Sequence, residues 1–268
     1  MAGIGVGVAA ASVAVLLVVR RGIRGEGTVQ ELDSRVPAVF AFVGTAFAVL
    51  LAFVVLEAFQ NFDKAREGAD TEAVAVLQIS RTADAFPPAQ RDAFEGFLLC
   101  YARAVVHHDW PAMKEGDQSS SEADLWSLRM RQTMLHLDLE THLRYASFYQ
   151  LQEEQDNRTK ARETREVQAG RNVPAPMWFV LVLGALLTIA GAILYVARRG
   201  SALVQGALVA SVAALATASL LLVVFLDNPY EGAAGSLEPV QMKRAITTLE
   251  DQQHVASTPC TATGEPLT

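Results

Sequence analysis

The stretch VFAFVGTAFAVLLAFVVLEAFQNFDKAREGADTEA, residues 39–73, decides how the rest of the chain is read. Residues 39–56 carry no formal charge, and from Asp63 onward nearly every turn carries one. A bilayer core about 30 Å thick is crossed by about 20 helical residues at about 1.5 Å each. The first part therefore reads as a membrane span, and the second as the same helix continuing into a water-facing domain. A strand is excluded because the apolar residues are continuous, and a lipid-exposed backbone must satisfy its own hydrogen bonds.

Working outward, the apolar block around this stretch is 36–56, and three more blocks, 2–19, 177–197 and 203–226, are almost free of charge. Residues 60–172 are rich in Asp, Glu, Arg and Lys. With 51% hydrophobic residues in the chain, that segregation predicts an all-α integral membrane protein. It has four transmembrane helices and a long helical soluble domain between helices 2 and 3. The expected organisation is helices 1 and 2 in 1–58, a charged helical domain in 59–172, a transmembrane hairpin in 173–227 and a partly disordered tail in 228–268. The first block has no basic residue before it and Arg20, Arg21 and Arg24 after it, which favours a retained span over a cleaved signal.

Inside the charged domain, helical spacing from Asp63 to Ala85 is stopped by Pro87-Pro88. A second helix is predicted over 89–109, ending at Trp110-Pro111, then a loop over 114–122. A third is predicted as one unbroken helix over 123–170, with Leu128, Leu135, Leu139 and Ala146 at coiled-coil spacings. Its last part, 152–168, shows no apolar stripe and reads as a solvated or partner-facing shaft. Such a shaft, with small-residue stripes on the spans, predicts a homo-oligomer.

Several function classes drop out. A net charge of −7 gives no footprint for a phosphate backbone, so nucleic acid is not an expected partner. Cys100 and Cys260 have neither metal-ligand nor redox spacing. No nucleophile elbow, phosphate-binding loop or metalloprotease motif occurs, so neither enzyme activity nor a cofactor is expected. Adjacent His107 and His108 would point about 100° apart on a helix, poorly placed for one metal ion, and read as surface residues near a helix C-terminus.

Orientation is contested by charge. Arg20, Arg21, Arg24 and Arg35, with Arg198 and Arg199, place both short loops in the cytoplasm by the positive-inside rule, and the charged domain opposite. Arg158, Lys160, Arg162, Arg165 and Arg171, just before the third span, pull the other way.

Four segments resemble the bestrophin-like family of bacterial membrane proteins. They are EAFQNFDKAREGADTEA at 57–73, YARAVVHHDWPAM at 101–113, the approach to VPAPMW at 173–178, and LDNPYEG at 226–232. Asp109 stands where the family has Glu, and Tyr230 where it has Phe. On this resemblance Asn61, Tyr101, Trp110, Pro111, Pro174, Trp178, Asn228, Pro229 and Gly232 are family-motif residues with structural roles. Asn61-Phe62-Asp63-Lys64 and Asn228-Pro229-Tyr230 are also similar to runs in bestrophin anion channels. The resemblance implies five subunits around a pore lined by the second span, inorganic anions as permeant partners and a helical domain in the cytoplasm. The calcium-binding acidic run of animal bestrophins is replaced by Ala233-Ala234-Gly235-Ser236.

Within this frame Thr45, Val49 and Phe53 share a face and are pore-lining candidates. Glu57, Asp63, Lys64 and Asp227 are charges at the membrane edge; Glu57 either reaches the headgroups, paired with Lys64 or Arg66, or is a functional intramembrane carboxylate. Gly44, Ala48 and Ala52, and Gly206, Ala210, Ala214 and Ala218, are small-residue stripes for packing within or between subunits. The expected function is a bestrophin-like ion channel in the bacterial plasma membrane. The alternative is a non-conducting, membrane-anchored scaffold or stress sensor that binds proteins through its long helix.

Overall fold

A computed structural model describes residues 11–15, 18, 29–116, 119–170, 173–196, 201–232, 234–252 and 258–267. Among them the helices are α1 (Val29–Ala83), α2 (Pro88–Ala104), a π-helical turn (Val105–Asp109), α3 (Trp110–Glu115), α4 (Ser121–Met134), α5 (His142–Val167), α6 (Ala175–Val196), α7 (Ala202–Asp227) and α8 (Val240–Gln252). Three of the described helices, α1, α6 and α7, are long and apolar enough to cross a membrane, as an integral membrane protein requires. The expected first span, 2–19, lies mostly outside the described residues. The chain divides into two compact units, residues 1–60 with 172–227, and residues 61–171 with 228–268.

In the first unit, Phe47 and Val54 of α1 meet Leu181, Ala185, Ile189 and Ile193 of α6 and Val209, Ala213 and Val223 of α7. Close approach is set by glycines on α6: a Cβ at Gly184 would lie 2.6 Å from the Phe47 ring, and one at Gly191 2.5 Å from the Phe40 ring. The Val173 N–H just before α6 donates to Asp227 Oδ1 at the end of α7, at 2.8 Å, so α6 and α7 run antiparallel. α1 begins at Val29, so Pro37 lies within it.

In the second unit, Val76 and Ile79 of α1, Phe94, Leu98 and Tyr101 of α2, Trp126 and Met130 of α4, Leu151 of α5 and Met242 of α8 share one core. Pro88 opens α2, where its missing N–H is not needed. Thr141 caps α5, its side chain accepting the Arg144 N–H at 3.2 Å. That cap corrects the unbroken 123–170 helix: the chain leaves helix between Met134 and His142. Pro111 likewise does not stop a helix, because it sits in the first turn of α3, which ends at the left-handed Gly116 (φ 95°).

The tail expected to be partly disordered is ordered over 258–267 and held in this unit. Cys260 forms a disulfide with Cys100 of α2, Cα to Cα 5.8 Å across a sequence separation of 160. Nothing in the local spacing of either cysteine announces that partner. Next to it the backbone of Gly264, at φ 90°, passes so close to α2 that a Cβ there would lie 2.4 Å from the Ala104 nitrogen. Trp126 Nε1 donates to Gly264 O at 2.6 Å, and Arg103 donates to Thr261 O at 3.2 Å and Glu250 at 2.8 Å.

Candidate functional site

Two features stand out, one in each unit: an exposed face of α1 and a buried charge network.

On α1, Phe47, Val54 and Ala58 are buried, and the opposite face is open, with Val49 52% and Phe53 68% exposed. Thr45 is exposed on that same face. Side chains four residues apart on a helix line up, so the three pore-lining candidates form one row that lies open among the described residues. Of the small-residue stripe on α1, Ala48 and Ala52 are exposed and a Cβ at Gly44 would meet nothing within 4 Å. Packing within the subunit uses Gly184 and Gly191 of α6 instead. On α7, Ala214 and Ala218 are exposed too. Glu57, Asp63 and Lys64 are exposed, and Arg66 pairs with Asp70 at 3.9 Å. Asp227 is buried, where it accepts the Val173 N–H.

In the second unit the centre is Arg165, fully buried. Its Nε donates to Glu72 Oε2 at 2.6 Å, Nη2 donates to Asp109 Oδ2 at 2.8 Å, and Nη1 donates to Met113 Sδ at 3.2 Å. Tyr101 donates its hydroxyl to Glu72 Oε1. Asp109 Oδ1 accepts the Ser120 N–H at 2.9 Å and its hydroxyl at 2.6 Å. Arg162 continues the network to Asp124 at 2.8 Å and Glu166 at 2.5 Å. Arg158 lies over the Tyr101 ring at 4.4 Å and donates to Gln155 Oε1 at 2.9 Å.

The π turn has a part in this convergence. Tyr101 and Asp109 are eight residues apart, which in a regular α-helix leaves them about 80° out of line. The wider turn over Val105–Asp109 takes up much of that offset and lets both residues face α5. Burial alone would lower Arg165, but Glu72 and Asp109 outweigh it and hold the guanidinium charged, above its ordinary range. Burial and the Glu72 carboxylate push the Tyr101 hydroxyl up, so it remains a neutral donor.

The motif residues gather round this network. Trp110 stacks edge-on against Tyr230 at 5.6 Å, lies 5.3 Å from the Arg165 guanidinium, and donates to Leu237 O at 3.1 Å. The Tyr230 hydroxyl faces Ala65 O and Arg165 O at 3.4 and 3.5 Å. Pro229 is buried, Asn228 and Asn61 are half-buried, and Gly232 turns the chain at φ 76°. Pro174 and Trp178 lie in the other unit, where Trp178 packs against the span core. The arrangement suits structural locking, since each inner carboxylate is engaged by an arginine and by a hydroxyl donor.

Three of the deciding residues, Glu72, Arg162 and Arg165, were not singled out from the sequence as site residues. The 152–168 shaft read as unstriped does carry a stripe, Gln155, Arg158, Arg162 and Arg165, at spacings of three and four, and these residues are buried within their own unit. This corrects the view that the shaft must await another subunit.

The family model of the bestrophin-like domain matches residues 6–235. No curated protein matches the chain in sequence. Among solved structures, a variant of a bacterial bestrophin homologue from Klebsiella pneumoniae is similar at a TM-score of 0.74 and 15% identity, covering 92% of this chain and 99% of that one. A second variant of that homologue gives 0.70 and 14%, covering 92% and 98%. A further structure of the homologue gives 0.61 and 14%, covering 94% and 99%. The likeness of fold extends over nearly the whole of both chains, and because the family match takes in both the spans and the charge network, the chain belongs to the bestrophin-like domain family.

Proposed function

We propose that the protein is a subunit of an oligomeric ion channel in the bacterial plasma membrane, with four spans per subunit counting 2–19, and a pore lined by the exposed face of α1. The observation that carries this reading is the split of α1 into a packed face, Phe47, Val54 and Ala58, and an open, uncharged row, Thr45, Val49 and Phe53. Several copies placing that row around an axis would form an apolar constriction of the kind that gates by dewetting. The stripe of half-buried Gly44 and exposed Ala48 and Ala52 would let neighbouring copies approach closely. Inorganic anions are the expected permeant species, from the resemblance to bestrophins.

Planar-bilayer recording on purified protein tests the proposal. Unitary currents are expected, and Phe53→Ala should raise conductance by widening and wetting the constriction. Silence of the native protein across pH and divalent-ion concentration would overturn it.

A second reading, a non-conducting scaffold, draws on the apolar surface around the α4–α5 turn, where Leu135 is 79% and Leu143 68% exposed. Light scattering in detergent bears on both readings: a clean monomer removes the pore and leaves the scaffold.

A further inference from the structure

The disulfide bears on a choice that arginine counting left open. Cys100 and Cys260 are both buried, and their bond joins α2 to a tail hairpin whose fit depends on Gly264 lying against Ala104. Disulfides of this enclosed, structural kind form and persist in oxidising compartments and are rare where the cytoplasm keeps thiols reduced. The arginines of 20–35 and 198–200 independently assign those segments to the cytoplasm by the positive-inside rule.

The opposing charges carry less weight. They belong to a domain of over 100 residues, 61–171, and long domains translocate largely regardless of their basic residues.

We infer that the helical unit, residues 61–171 with 228–268, is exported to the outer face of the membrane, opposite to the orientation implied by the resemblance to bestrophins, and is closed there by the Cys100–Cys260 disulfide. The two thiols give up two protons and two electrons in forming the bond. The acceptor is a disulfide-bearing thiol oxidoreductase of the exported side, reduced in turn to its dithiol by exchange. Any ligand or partner that acts on this unit then arrives from outside the cell membrane. The inference requires membrane insertion only, so electrical silence would remove the channel and leave it standing.

The test uses the full chain with its native cysteines, which are buried and paired and so need not be removed. Cells are quenched in acid, and the denatured protein is treated with a polyethylene-glycol maleimide before and after reduction. Separately, Ser119→Cys or Gln30→Cys is added to the native chain and spheroplasts are exposed to a membrane-impermeant maleimide. Ser119 is chosen because it is exposed, whereas Ser120 holds Asp109; Glu140→Cys, also exposed, is the second site should Ser119→Cys fold poorly.

The expected result is a mass shift of two additions only after reduction, with labelling at 119 or 140 in intact spheroplasts and at 30 only after lysis. Two additions without reductant would overturn the inference, as would labelling at 30 with protection at 119 and 140. Labelling of both sides, or of neither, in intact spheroplasts also counts against it.

Discussion

The membrane unit and the helical unit are packed from opposite materials. In the first, α1, α6 and α7 meet through Leu, Ile, Val and Phe against glycine, with close backbone approach at Gly184 and Gly191. In the second, aromatic and aliphatic residues surround six buried charged side chains among the described residues, Glu72, Glu95, Asp109, Arg158, Arg162 and Arg165. The solvent explains the difference. Between helices in lipid there is no hydrophobic gain from contact, so fit decides association. In water, apolar burial is available, and a unit that nevertheless buries ions gains uniqueness of arrangement more than stability, since replacing such a network by apolar residues is often neutral or better. We take the network of this protein to be a register device that fixes how α1, α2 and α5 meet.

That comparison predicts its largest effect at Arg165. Removing one partner from a buried network strands the others, at about 3–5 kcal/mol. Arg165→Met should therefore abolish or severely weaken the cooperative melting of the helical unit, followed by circular dichroism in detergent. A variant that replaces Arg165, Glu72 and Asp109 together with Met, Leu and Leu should recover much of the loss. If the single variant melts like the native protein, the network is ornamental and the contrast between the units fails.

Next in size is the disulfide. Cross-links that close long loops stabilise by about 2–4 kcal/mol, largely by restricting the unfolded chain. Cys260→Ser should lower the melting temperature of the helical unit, and reductant should lower that of the native protein by the same amount while leaving the variant unmoved. Two different losses would mean that the serine, and not the missing bond, disturbs the packing round Gly264.

How much of this was legible in the sequence follows the same divide. Residues 39–56, 177–197 and 203–226 declared themselves because a bilayer imposes length and charge limits that composition reveals directly. The faces of those helices were less legible: the Gly44 stripe left packing within and between subunits both open, and within the subunit it is Gly184 and Gly191 that lie opposite phenylalanine rings. In the helical unit, the sequence placed a helix over 89–109 and another through α5 but missed the buried face of α5, because its inward stripe is made of Gln155, Arg158, Arg162 and Arg165. Their spacing is helical, and the signal that could have found them is Glu72, set among Ala69, Ala73 and Val76. The break between α4 and α5 was written in Thr141 as a cap. The Cys100–Cys260 pairing had no local sign, because only the tertiary fold brings together residues 160 positions apart.

The membrane unit supplies a milder test. Gly184→Ala places a methyl 2.6 Å from the Phe47 ring, closer than real contacts allow. The helices must separate or the ring must leave its rotamer, an overpacking penalty of about 1–3 kcal/mol. Thermal stability in detergent should fall accordingly, and Gly184→Ala with Phe47→Leu should be more stable than Gly184→Ala alone. Additive losses in that double-mutant cycle would show that the two residues do not meet as described.

The smallest expected effect is at Arg66, and it sharpens the contrast because Arg66 lies on the same helix as Glu72. Its pair with Asp70 has the favourable i, i+4 spacing, yet the atoms are 3.9 Å apart and the side chains are 67% and 46% exposed. Water solvates both charges whether or not they meet, and holding two long side chains in place costs entropy, so exposed pairs of this kind contribute about 0–1 kcal/mol. Arg66→Ala should shift the melting temperature hardly at all, and raising the salt concentration should erase what shift remains. Arg165, fully buried, has no such recourse: its guanidinium has Glu72, Asp109 and Met113 in place of water. If Arg66→Ala destabilised the unit as much as Arg165→Met, burial would not be what gives the network its strength. The difference in chemistry between the two units would then need another cause.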